Sequence, residues 1–227
     1  MTNVLMSLIK QFRNPADNVE VVVLGPQKGG TTAIAALLGK ISDKDVSIDP
    51  LYQVDQGKAK QVKKLIRNPE KIGWLCVRHP RLFVQPIIKD PDLIFIYQAV
   101  RECYRNAQIL FVVRDPRDTI RSICNRLNLA GSDLNRCPKS SDMQGGNHHW
   151  ELVLSGQLPK HELYKLQSGF IYNLAHRWNL AAEIFLEHAD EMTLLRYEDF
   201  LTDKEKSIAK VAHDFEIECT QSIADYI

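Results

Sequence analysis

Residues 19–24 read Val-Glu-Val-Val-Val-Leu and run without a break into Gly25-Pro-Gln-Lys-Gly-Gly-Thr-Thr32. A β-branched run of that length is too continuous for a half-exposed strand and predicts a buried parallel one. Ile34, Leu37 and Leu38 then repeat at helical spacing, so strand, glycine loop and helix follow one another, as at the start of a nucleotide-type α/β fold. Gly25 and Gly30 stand at the G-x-x-x-x-G spacing of a phosphate-binding loop, whose backbone N–H groups and following helix N-terminus point at an anion. A nucleoside triphosphatase needs Lys and Ser/Thr directly after the second glycine. Here Thr31 and Thr32 fill those positions, and the one lysine, Lys28, lies inside the loop. The anion cradle is kept while the cation moves toward the bridging region of a ligand. No strand ends in a lone Asp suited to Mg²⁺, which also disfavours a metal-dependent triphosphatase.

Composition narrows the remaining classes. The chain has 227 residues, with 29 Lys+Arg against 28 Asp+Glu and a formal charge of +1. That balance excludes a basic nucleic-acid arm and an acidic tail, so no nucleic-acid partner is expected. No segment has the apolar length of a membrane span. Residues 1–12 lack a basic leader and a cleavage site, and are expected to form a short amphipathic helix on the body. The 5 cysteines stand at 76, 103, 124, 137 and 219 without paired spacing, which predicts reduced thiols in a cytoplasmic protein, with neither a disulfide framework nor a zinc site.

Along the chain, residues 56–66 predict a basic helix, Leu82–Ile88 an irregular or edge strand containing Pro86, and 92–104 a helix. Ile109–Val113 is a second buried strand. Asp115 fits an N-cap and Pro116 the first helical position of a helix reaching Leu127. Residues 130–150 contain the long irregular stretch, a loop or lid. Further elements are a helix over 161–188, a short strand over 192–195 and a helix over 203–214. Alternating strands and helices predict one three-layer α/β domain over 1–227 with a mainly parallel sheet, preceded by an extension over 1–18.

The second constellation is Arg114-Asp-Pro-Arg-Asp-Thr-Ile-Arg-Ser122. Arg114 follows a buried strand at its carboxyl end, where open α/β sheets bind ligands. A guanidinium with the hydroxyl of Ser122 suits a phosphate monoester, although an Arg-Asp pair there also reads as a structural ion pair. Arg117 and Arg121 read as a solvated face.

With these segments and Leu195-Arg-Tyr-Glu-Asp-Phe200, the chain from about 19 to 215 resembles the sulfotransferases that use 3′-phosphoadenosine 5′-phosphosulfate (PAPS). The resemblance implies a P-loop NTPase-like sulfotransferase fold. It also implies metal-independent transfer of a sulfuryl group from PAPS to a hydroxyl or amine on a small molecule, carbohydrate or peptide. Gln27, Lys28, Gly29, Gly30, Thr31 and Thr32 would hold the 5′-phosphosulfate, and Arg114 and Ser122 the 3′-phosphate. Gln27 departs mildly from the Pro or Arg common before the lysine. Lys28 would also stabilise the leaving bridging oxygen.

On the acceptor side the resemblance offers Lys89, set against the sulfuryl group, and Asp49 as the base; Lys89 reads equally as a surface lysine and Asp49 as an Asp-Pro turn residue. His79 is the competing base. The His148-His149-Trp150 run is poorly spaced for a metal. Trp150 reads as a lid or core residue with a pocket role as the alternative, and Trp178 reads as core. The cluster Lys58, Lys60, Lys63, Lys64, Arg67 and Lys71 reads as a solvated helix face or as a groove for an acidic acceptor. The basic glycine-containing loop with which the family covers the 3′-phosphate is not seen before Ile227. Either the chain is truncated or another segment, such as 130–150, is expected to cover the base. Oligomeric state is left open. A P-loop kinase and a non-catalytic nucleotide-binding protein are the alternatives.

Overall fold

A computed structural model describes residues 15–129, 138–144, 147–156, 169–222 and 226. Their centre is a five-stranded sheet in the order β2-β3-β1-β4-β5. The strands are β1 (Val21–Leu24), β2 (Val46–Ile48), β3 (Ile87–Lys89), β4 (Gln108–Val113) and β5 (Thr193–Arg196), and every neighbouring pair is parallel.

Alternation along the strands divides the core between two faces. Val21, Val23, Leu110 and Val112 pack with Ile34 and Leu38 of α1 (Thr31–Ser42) and with Ile208 and Val211 of α11 (Lys204–Asp214). Val22, Leu24, Ile109 and Phe111 face the opposite layer. There they meet α3 (Lys60–Arg67), α4 (Ile72–Arg78), α6 (Tyr97–Cys103) and α9 (Phe170–Glu187). Helices on both faces of a parallel sheet explain why β1 and β4 read as continuous apolar runs. A satellite cluster joins α7 (Pro116–Leu127), α8 (His148–Leu154) and the start of α9 through Ile123, Leu127, Val153, Leu154 and Phe170.

Several expectations are corrected in detail. The segment 82–88 is not one strand: α5 (Pro80–Phe83) occupies its beginning, and only Ile87–Lys89 pairs. Pro86 lies outside the ladder, where its carbonyl accepts from the amides of Glu20 and Val21. The basic helix is preceded by a separate short one, α2 (Pro50–Asp55), with Gln56 and Ala59 in left-handed conformation between them. The 92–104 helix opens as a 3-10 segment, Pro91–Ile96, capped by the Asp90 carboxylate. Strand β2 was not anticipated, and part of the irregular stretch is the helix α8. The expected helix over 1–12, residues 161–168 of the helix expected over 161–188, and residues 130–137 and 145–146 of the irregular stretch lie outside the described residues. The remaining helix, α10 (Tyr197–Thr202), follows β5 directly.

Candidate functional site

The carboxyl ends of β1–β4 open onto a cavity of about 710 Å³. Its wall includes Gln27, Lys28, Gly30, Thr31 and Thr32 from the glycine loop and α1. Asp49 and Lys89 come from the ends of β2 and β3, and Arg114 and Ser122 from β4 and α7. The sheet thus gathers residues far apart in sequence.

The loop is tight. Gly29 donates its amide to the Pro26 carbonyl at 3.0 Å, and Lys28 takes the left-handed conformation with φ 63°. For a residue with a Cβ that conformation costs about 1 kcal/mol or more, so the fold holds this lysine in a strained place. Gly30 has φ 95°, and a Cβ there would lie 2.1 Å from the Tyr197 ring, so glycine is required twice over. Gly30 caps α1 without a side-chain acceptor, leaving the first-turn amides open toward the cavity.

Tyr197 links the glycine loop to the exit of β4. Its ring lies between Gly30 and Arg114, whose guanidinium carbon sits 5.0 Å from the ring centroid. The Trp178 indole N–H donates to the Arg114 carbonyl at 2.9 Å, so this tryptophan is only partly core and steadies the exit of β4. Glu198 accepts the Asp115 amide at 2.8 Å, which ties the Arg-Tyr-Glu-Asp segment to the same exit. Asp115 caps α7 by accepting the Arg117 amide, as its sequence position predicts. The Arg117 guanidinium and amide hold the Asp115 carboxyl well below the usual carboxylate range. Arg117 and Arg121 lie exposed, paired with Asp115 and Asp118. Sequence reasoning passed over Arg126, which lines the cavity four residues after Ser122 on the same helical face.

The opposite wall carries a further cation. The Lys89 ammonium donates to Asp49 Oδ1 at 2.7 Å, and its side chain is only 5% exposed. Lys89 is therefore no surface lysine. Asp49 donates its amide to the Lys89 carbonyl at 2.7 Å and, ahead of Pro50, adopts φ 51°. A left-handed residue before proline is unfavourable, so the fold holds Asp49 in a strained place. Burial, then the neighbouring Asp92 and Asp49, push the Asp90 carboxyl well above its ordinary value.

Beneath the cavity Asp92 accepts from Gln27 Nε2 at 2.8 Å and from Arg177 Nη2 at 2.7 Å. Its second oxygen lies 3.5 Å from His149 Nε2. One buried carboxylate thus ties the glycine loop to α9 and to the α8 wall, where His149 and Trp150 line the cavity. His148 points elsewhere and pairs with Glu151. The structure does not bring His79 to this place. It caps α4 with its ring 6.4 Å from Trp74, and it is absent from the cavity wall.

The charges do not cancel. Lys89 is matched by Asp49 and Arg177 by Asp92. Lys28, Arg114 and Arg126 have no carboxylate partner among the described residues, although all three face the cavity. A sulfotransferase domain model matches residues 18–227. The chain belongs to the sulfotransferase family. Among solved structures it is similar to a sulfotransferase from Alicyclobacillus acidocaldarius at 13% identity and a TM-score of 0.54, covering 90% of this chain and 83% of that one. It is also similar to the sulfotransferase STF1 of Mycobacterium tuberculosis H37Rv at 14% identity and a TM-score of 0.55, covering 97% and 74%. These likenesses establish the shared fold. No curated protein matches the chain. Among the described residues no helix of this sulfotransferase is long and apolar enough to cross a membrane.

Proposed function

We propose that this sulfotransferase transfers a sulfuryl group from PAPS to a hydroxyl acceptor. The observation that supports this reading is the placement of Lys28, Arg114 and Arg126, without carboxylate partners among the described residues, around the amides of a helix N-terminus. That arrangement fits a ligand anionic at two separated ends.

In this reading the amides of Gly29–Thr32 and the two threonine hydroxyls hold the 5′-phosphosulfate, and Gln27 braces the loop. Arg114, Ser122 and Arg126 hold the 3′-phosphate. The acceptor oxygen attacks sulfur in line as the bond from sulfur to the bridging oxygen breaks. Negative charge builds on that oxygen, and the Lys28 ammonium neutralises it. Lys89 faces the equatorial sulfuryl oxygens from the other wall. Asp49, on the same wall and still 40% exposed, takes the proton of the acceptor hydroxyl through its second oxygen. The wall of Tyr52, Pro91, His149 and Trp150 offers the acceptor an aromatic surface. His79 has no role.

The reading is tested by incubating the protein with ³⁵S-labelled PAPS, EDTA and a panel of phenols, saccharides and tyrosine peptides. Labelled product from at least one acceptor is expected. Absence of product, together with Mg²⁺-dependent consumption of ATP, would replace the reading with a kinase.

A further inference from the structure

The five cysteines carry no motif, yet the fold places two of them together. The Sγ atoms of Cys76, in α4, and Cys103, the last residue of α6, lie 3.5 Å apart. We propose that these two thiols form an oxidisable pair that closes into a disulfide, with a small disulfide such as oxidised glutathione as electron acceptor.

Three observations beyond the distance support the assignment. The two thiols differ in access: Cys76 is 1% exposed, whereas Cys103 is only partly buried and can be met from solvent. The Tyr104 hydroxyl lies 3.4 Å from Cys76 Sγ while donating to the Phe83 carbonyl, so the buried sulfur is held in place. Hydrogen bonding with Cys103 holds the Cys76 thiol below its ordinary value despite burial and, with burial, pushes the Cys103 thiol up, so Cys76 is the sulfur held toward the thiolate and Cys103 gives up its proton as it reacts.

The order of events follows from access. The Cys103 sulfur attacks oxidised glutathione; a mixed disulfide forms at Cys103 and one glutathione thiolate leaves. The Cys76 thiolate then attacks the Cys103 sulfur, the Cys76–Cys103 bond forms and the second glutathione leaves. Two protein thiols lose two protons and two electrons, and one glutathione disulfide becomes two glutathiones.

The consequence reaches the cavity. The closed loop joins residues separated by 27 positions, and Lys89, Asp90, Pro91 and Asp92 lie near its middle. A cross-link there restricts the segment that carries Lys89 and the carboxylate beneath the glycine loop.

The test treats the full chain with oxidised glutathione, alkylates the remaining thiols after denaturation, and maps peptides by mass spectrometry. Wild type should lose two alkylatable thiols, yield a Cys76–Cys103 peptide pair without glutathione, and recover both thiols with dithiothreitol. Cys76→Ser, or Cys76→Ala should the serine unsettle the buried position, should stop at one glutathione on Cys103. Hydrogen exchange of the amides from 87 to 97 should slow several-fold on oxidation and recover on reduction. Two intact thiols in oxidised wild type, or the same persistent Cys103 adduct as in the variant, would overturn the pair. Unchanged exchange would overturn its link to the cavity.

Discussion

The two walls of the cavity are built differently. The wall of the glycine loop, α1 and α7 comes from two contiguous stretches, 25–32 and 114–126, each running off the end of a buried strand. Its cations, Lys28, Arg114 and Arg126, face the cavity without carboxylate partners among the described residues. The wall of Asp49, Lys89 and α8 comes from short strands and from helices distant in sequence, and its cation is already matched by Asp49 at 2.7 Å. One wall awaits an anion; the other is internally neutral. In the proposed reading a donor bearing two anionic groups lies against the first, and an uncharged hydroxyl against the second.

The largest expected effect separates charge stabilisation from binding. Lys28→Ala should lower turnover of labelled PAPS by roughly 10²–10³-fold, as loss of one preorganised donor does elsewhere, while affinity for 3′-phosphoadenosine 5′-phosphate changes little. Unchanged turnover would remove Lys28 from the chemistry. Asp49→Asn probes the neutral wall. It should lower turnover about 10²-fold, leave nucleotide affinity unchanged and cost about 1–2 kcal/mol in urea unfolding. The cost stays below that of a fully buried pair because Asp49 is 40% exposed. A loss of nucleotide affinity would show that the walls are not separate.

Smaller effects sharpen the same division. Trp178→Phe removes the donor to the Arg114 carbonyl and should weaken nucleotide binding a few-fold in calorimetry without altering loop contacts; a larger loss of stability than of affinity would make Trp178 merely core. Asp90 supplies a pH signature. Its folded carboxyl keeps a proton that the unfolded chain releases above about pH 4. Its contribution to stability therefore declines as pH rises from there toward neutrality. Asp90→Asn should flatten that decline in unfolding free energy measured across pH 4–7. A decline of the same slope in the variant would assign the effect to other groups.

The same division governed what could be read from sequence. β1, the glycine loop, α1, β4 and the Asp115 cap are local patterns of at most twelve residues, and each was legible because its period and its caps lie side by side. Arg126 was also within reach, since four residues after Ser122 puts it on one helical face. The neutral wall was harder. β2 and β3 each have three residues, too few to establish a period, and the helix Pro80–Phe83 ends inside the run that looked like a strand. The burial of Lys89 depends on the register that sets Ile48 beside it, which no local pattern encodes. The Gln27–Asp92–Arg177 linkage spans separations of 65 and 85 residues, and the meeting of Cys76 with Cys103 depends on how α4 packs on α6. Resemblance proposed Asp49 and His79 as competing bases; of the two, Asp49 lines the cavity and His79 does not, a difference that depends on three-dimensional placement.

The most direct measurement is calorimetric titration of the intact protein with 3′-phosphoadenosine 5′-phosphate in EDTA, alongside adenosine 5′-phosphate. The account predicts metal-free binding of the first. Arg114→Ala and Arg126→Ala should each weaken it at least tenfold, while the far weaker binding of adenosine 5′-phosphate, which lacks the 3′-phosphate, changes little. No binding to the intact protein, or equal losses for both nucleotides in both variants, would contradict it.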